Sequence, residues 1–254
     1  MADHILITDN LTKQYQNTYA VDHVSMTIDH EDIYGFIGAN GAGKTTFMRM
    51  VCGLIKPTAG SLSLFGAADE NSLQKARRHL GTLIEHPALY PSMSAMENLE
   101  IQHRYLSTDP GNHPQNTMKE LLALVGLKDT GSKKAGSFSM GMKQRLGLAL
   151  ALIGSPDFLI LDEPSVGLDP IGVVELRELL LKLNRERGIT ILFSSHNLSE
   201  MSLLATRYGF LHGGKLVKEL TAMQLEQELS SGISLESYFV ELVACSHNQK
   251  GKNL

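Results

Sequence analysis

The segment Gly38-Ala39-Asn40-Gly41-Ala42-Gly43-Lys44-Thr45 matches the phosphate-binding pattern G-x-x-x-x-G-K-[ST] at every specified position. That pattern ties the chain to a strand, a tight glycine-rich loop and a helix in succession. A phosphate chain needs backbone N–H groups aimed at it from close range, and glycines admit that approach because no Cβ intervenes. Lys44 brings a point charge suited to the β- and γ-phosphates, and the Thr45 hydroxyl suits a place on Mg²⁺. The flanks agree. Ile33 to Ile37 reads as a buried strand, and Thr45 to Gly53 as a helix whose N-terminus faces the phosphates. The expected cradle comprises Gly38, Ala39, Asn40, Gly41, Ala42, Gly43, Lys44, Thr45 and Thr46.

Phe158-Leu159-Ile160-Leu161 is followed directly by Asp162 and Glu163. A carboxylate at the tip of a buried strand beside such a loop can hold Mg²⁺, which fits Asp162. Glu163, one residue on, is placed to polarise an attacking water. Ser139-Met140-Gly141-Met142 precedes a long helix and offers a hydroxyl and a close-approach glycine at its N-terminus. This reads both as a second anion site and as a helix cap with Ser139 at the N-cap, and the two are compatible.

The 254 residues suit one domain, or one domain carrying an insertion, with room for a sizeable core. Strand patterns dominate the first part, at Ile5 to Leu11, Val21 to Ile28, Ser61 to Phe65 and Leu80 to Ile84. Helical spacing then takes over at Ser94 to Leu106 and Asn116 to Val125. From Met142 helix and strand alternate, with a long amphipathic helix from Ile171 to Arg187 and a strand at Ile189 to Phe193. The order predicts an α/β sheet with a helical insertion near residues 86–138.

A net charge of -4 with no basic stripe gives no electrostatic case for nucleic acid. Cys52 and Cys245 are far apart and lack metal-ligand spacing, as expected of a reduced cytosolic protein. No signal peptide is expected at the N-terminus and no segment is apolar enough to span a bilayer, so a membrane role would come through a partner.

Over nearly its whole length the chain resembles the nucleotide-binding subunit of an ATP-binding cassette (ABC) transporter. The resemblance implies a P-loop NTPase fold of the ABC ATPase type, with an N-terminal antiparallel β-subdomain and an inserted helical subdomain. It divides the chain into an α/β core with its β-subdomain (1–85 and 139–220), the helical insertion (86–138) and a short C-terminal extension (221–254). Phe138 and Ser139-Met140-Gly141-Met142 stand where the family signature Leu-Ser-Gly-Gly-Gln lies. Met140 and Met142 depart from the commonest form of that signature. Ser139, Gly141 and Met142 are thereby implied to contact ATP bound to a second copy. Ser165 to Asp169 matches the D-loop, which meets the other subunit, and His196 matches the switch histidine. Tyr15 sits where the family places an aromatic that stacks on adenine.

One departure stands out. Where the family usually carries a glutamine that contacts Mg²⁺ and water, this chain has Glu85. Glutamate there, together with the segment 163–172 and the tail Leu235 to Phe239, is similar to ATPases of lantibiotic self-immunity and bacitracin-resistance exporters. The implied activity is Mg²⁺-dependent ATP hydrolysis by a head-to-tail pair bound to transmembrane permease subunits at the cytoplasmic face of a bacterial plasma membrane. Other ABC exporters or importers, non-transport ABC ATPases and a regulatory module without catalysis are the alternatives. The single P-loop and intact Lys44, Asp162, Glu163 and His196 weigh against the last two.

Overall fold

The structure, a computed structural model, describes residues 4–106, 115–195, 198–229 and 233–250. Strands β1 (His4–Tyr15) and β2 (Thr18–Asp29) form an antiparallel ribbon, followed by β3 (Ile33–Ile37) and helix α1 (Lys44–Val51). Next come β4 (Ala59–Leu64), α2 (Glu70–Ala76) and β5 (Leu80–Leu83). Helices α3 (Ala95–Leu106) and α4 (Gln115–Leu124) lie in the expected helical insertion, and α5 (Met140–Leu152) follows it. The remainder is β6 (Phe158–Asp162), α6 (Pro170–Arg187), β7 (Thr190–Ser195), α7 (Leu198–Ser202), β8 (Arg207–His212), β9 (Lys215–Thr221), α8 (Ala222–Glu228) and α9 (Leu235–Lys250).

Two sheets result. The first is antiparallel, in the order β2-β1-β4. The second runs β5-β6-β7-β3-β8-β9 and is parallel except for the β8–β9 pair. Every residue of β3, β6 and β7 is buried, which is why their sequences are continuous apolar runs instead of alternating ones. One apolar cluster packs α4, α5 and α6 around the sheet. A second packs the β1–β2–β4 sheet against α1 and the other sheet face.

The helix boundaries follow local chemistry. Helix α1 stops before Gly53, whose φ of +75° is the left-handed conformation that closes helices. Helix α5 starts two residues before the predicted Met142, with Ser139 as N-cap accepting the Met142 N–H at 3.2 Å. Helix α6 has Asp169 as N-cap, Pro170 at its first position and Gly188 with φ +65° past its end.

Candidate functional site

The site sits at the carboxyl ends of the parallel strands, where the sheet delivers three segments side by side. Strand β7 lies between β3 and β6, pairing Ile37 with Ser195 and Asp162 with Ser194. The loop leaving β3 and the carboxylate ending β6 are therefore separated by one strand. Open sheets of this kind place ligands in the crevice at that end.

The loop is shaped by glycine where no other residue fits. Gly43 has φ +108°, and a Cβ on it would lie 2.2 Å from the Ala20 carbonyl oxygen. A Cβ on Gly38 would meet the Leu211 carbonyl oxygen at 2.6 Å. Helix α1 starts immediately after Gly43, so the positive end of its dipole points into the loop. Within the loop, Ala39, Asn40 and Gly41 are exposed, Ala42 is buried, and Thr45 and Thr46 are partly exposed at the helix start.

Lys44 is buried, its Nζ donating to the Gly38 carbonyl at 2.6 Å and to the Ala39 carbonyl at 3.3 Å. Burial pulls its pKa below that of an ordinary lysine, and the charges of Glu163 and Asp162 pull the other way. The Glu163 carboxylate stands 3.8 Å from the ammonium. Thr45 Oγ1 donates to Asp162 Oδ2 at 2.6 Å. Glu163 has φ +51°, a left-handed conformation for a residue with a side chain, and so stores backbone strain at the position expected to act on water.

A hydroxyl and one buried carboxylate, beside a loop built for phosphate, are the hard oxygen donors that suit Mg²⁺. That ion keeps several waters and binds through one or two carboxylates plus substrate phosphates. Among the described residues no group of three or more His, Cys, Asp or Glu forms an all-protein metal cage. The residues present thus fit a nucleotide with its Mg²⁺.

The other expected residues are placed as follows. Tyr15 ends β1 with an exposed ring, and the Lys13 ammonium lies 5.2 Å from its centroid. Ser139, Gly141 and Met142 stand at the N-terminus of α5, where Gly141 packs beside the segment carrying Asp169: a Cβ on Gly141 would lie 3.3 Å from the Gly167 carbonyl oxygen. Asp169 uses its side chain to accept the Gly172 N–H at 2.8 Å. His196 lies outside the described residues.

Glu85 has φ +61° and directs its carboxylate to Arg49 on α1, at 2.7 Å. The pair is partly exposed and contributes about 0–1 kcal/mol. Glu85→Gln is therefore expected to keep the thermal midpoint within about 3 °C of the parent, checked by calorimetry. A larger loss would give Glu85 a structural role that this geometry does not contain.

Two residues of the site carried no reading of their own in the sequence, Arg49 and Ser194. Ser194 is fully buried and touches both acidic residues of the site, donating to Asp162 Oδ1 at 2.6 Å and accepting the Glu163 N–H at 2.9 Å. Its only local signal is a small hydroxyl residue closing an apolar strand.

The sequence profile of the family described as ABC transporter matches residues 21–166. The bacitracin transport ATP-binding protein BcrA of Bacillus licheniformis is 46% identical over 216 residues, spanning 85% of this chain and 69% of that protein. The lantibiotic transport ATP-binding protein SrtF of Streptococcus pyogenes is 40% identical over 235 residues, spanning 92% and 96% respectively. Among solved structures, the dimeric ATP-binding cassette MJ0796 in a post-hydrolysis state bound to ADP and Pi superposes with a TM-score of 0.79 at 26% identity. That match covers 85% of this chain and 98% of the other.

Proposed function

Because the chain belongs to the ABC transporter family, we propose that it is the ATP-hydrolysing subunit of an exporter that expels a lantibiotic or related peptide antibiotic. The observation that carries the ATPase reading is the Thr45–Asp162 contact. It joins the phosphate loop to a strand-end carboxylate, with Lys44 and Glu163 beside it. The substrate class is supported by the similarity to bacitracin and lantibiotic transport ATP-binding proteins.

The chemistry is transfer of the γ-phosphoryl group to water, so the protein acts mainly by positioning and by stabilising charge. Thr45 and Asp162, with Glu85 as a further proposed ligand, would hold Mg²⁺, which would supply neutralisation of charge on the phosphate oxygens. Lys44 exchanges the carbonyls of Gly38 and Ala39 for β- and γ-phosphate oxygens, its water already stripped away by burial. Glu163 accepts the proton of the attacking water while the new oxygen–phosphorus bond forms and ADP departs. His196 steadies the γ-phosphate side, and Tyr15 stacks on adenine.

Two copies pair head to tail, so that Ser139, Gly141 and Met142 of one close the ATP site of the other, with Asp169 at the junction. Exposed apolar side chains on these segments, Met140, Val166, Ile171 and Val174, support a protein contact there. Hydrolysis separates the pair and drives the permease through the helical insertion, residues 86–138. A groove of about 270 Å³, lined by Leu54, Ile84, His86, Pro87, Gln102 and Leu106, lies between that insertion and the end of β5. It suits a short permease element.

Among the described residues no helix is long and apolar enough to cross a membrane. In this reading, attachment to the cytoplasmic face of a bacterial plasma membrane comes through the permease. The test is made in the host: Glu163→Gln at normal expression, with inhibitory concentrations of bacitracin and a panel of lanthionine peptides. Sensitisation to one class is the expected result and names the substrate class. Unchanged sensitivity across the panel would remove peptide export and leave the ATPase standing.

A further inference from the structure

We propose that Ser194 is a positioning residue that fixes both acidic groups of the site through one hydroxyl. This inference rests on the ATPase reading above.

The hydrogen-bond direction is set by the chemistry of the partners. An ionised carboxylate only accepts, so the single Ser194 proton goes to Asp162 Oδ1, at 2.6 Å. The serine oxygen is then left to receive the Glu163 N–H, at 2.9 Å. Thr45 occupies the other Asp162 oxygen, at 2.6 Å. One chain of bonds thus runs from the Glu163 backbone through Ser194 to Asp162, while Thr45 reaches the same carboxylate from α1. Each link polarises the next.

Burial makes the arrangement exacting. Asp162 is 2% exposed and Ser194 is 0% exposed, so water cannot replace a missing donor. Ser194 is also the register partner of Asp162 across the β6–β7 ladder, which fixes its Cα opposite the carboxylate. Glu163 lies one residue beyond the strand, in the left-handed conformation, and its N–H turns away from the ladder onto the serine side chain. The serine therefore holds the strained turn that aims Glu163 at water and the oxygen pair that faces the metal position. Alanine would remove the hydroxyl donor from the buried Asp162 carboxylate and, at the same time, the side-chain acceptor of the Glu163 N–H.

Groups that orient a metal ligand typically alter metal affinity or activity about 10–100-fold when removed. Ser194→Ala is expected to bind ATP without Mg²⁺ within about twofold of the parent. The Mg²⁺ concentration that half-saturates nucleotide binding should rise about tenfold or more. The readout is a Mg²⁺ titration of fluorescent ATP binding, with hydrolysis measured alongside. Ser194→Cys is slightly larger, keeps a hydrogen-bonding group at the same position but donates weakly, and should fall between the parent and Ser194→Ala. A folded Ser194→Ala with parental Mg²⁺ dependence overturns the proposal. If that variant does not fold, parental Mg²⁺ dependence in Ser194→Cys overturns it. Glu163→Gln run in parallel separates the two ideas. Hydrolysis persisting in Glu163→Gln takes down the ATPase assignment of Glu163, whereas its loss there beside parental behaviour of Ser194→Ala takes down only the role of Ser194.

Discussion

Replacing Glu163 by glutamine is expected to lower steady-state ATP hydrolysis by about 10²–10⁴-fold while ATP affinity stays within about threefold. Glutamine keeps the size and hydrogen-bonding reach of glutamate but cannot take a proton at neutral pH, so the loss falls on the chemical step. The surroundings favour such a clean separation. The Glu163 side chain is only 3.8 Å from the Lys44 ammonium, yet that ammonium is held chiefly by the carbonyls of Gly38 and Ala39. Removing the Glu163 charge therefore leaves the phosphate-binding lysine anchored. The backbone of the turn is likewise kept by Ser194, which bonds the Glu163 N–H and not its carboxylate. Phosphate release and equilibrium ATP binding, measured on the same preparation, check both halves. ATP that binds but is not cleaved should also accumulate a paired form on size-exclusion chromatography. Turnover within tenfold of the parent would move the base to another group.

The parts of this site legible in the sequence are those whose chemistry is local. Gly38 and Gly43 announce themselves because a Cβ there collides with backbone of Leu211 and Ala20, so the pattern cannot drift. Ser139 was legible as a cap because its partner, the Met142 N–H, is three residues away. The strand ending in Asp162 was legible from its unbroken apolar run, all of it buried. What escaped is set by the sheet. Ser194 meets Asp162 only because β7 pairs with β6 in one particular register, and a serine at a strand end carries no mark of that. Arg49 is a basic residue in the last turn of α1, and only the fold brings Glu85 against it. The β8–β9 hairpin also escaped, because β9 is partly exposed along most of its length and shows no alternation to read. Fold class depended on patterns repeated many times along the chain, whereas these contacts each depend on one crossing.

Lys44→Met is expected to weaken ATP binding by about 10–100-fold, the range of one charge-assisted hydrogen bond. Methionine retains most of the stem that packs behind the loop and deletes only the ammonium. The effect should be large because the charge is prepared in advance: Lys44 is 5% exposed and its Nζ is already aimed at the loop carbonyls, so little desolvation remains to be done when phosphate arrives. The same burial pulls the lysine pKa down, with Glu163 and Asp162 opposing the shift. Its charged form, and with it this part of the affinity, should fade at a lower pH than for a solvated lysine. Raising the pH toward that range should weaken parental ATP binding and leave Lys44→Met comparatively flat. Equilibrium titration of both proteins across neutral and alkaline pH reads both outcomes. Affinity in Lys44→Met within threefold of the parent would mean that the loop backbone and the α1 N-terminus hold the phosphates without it.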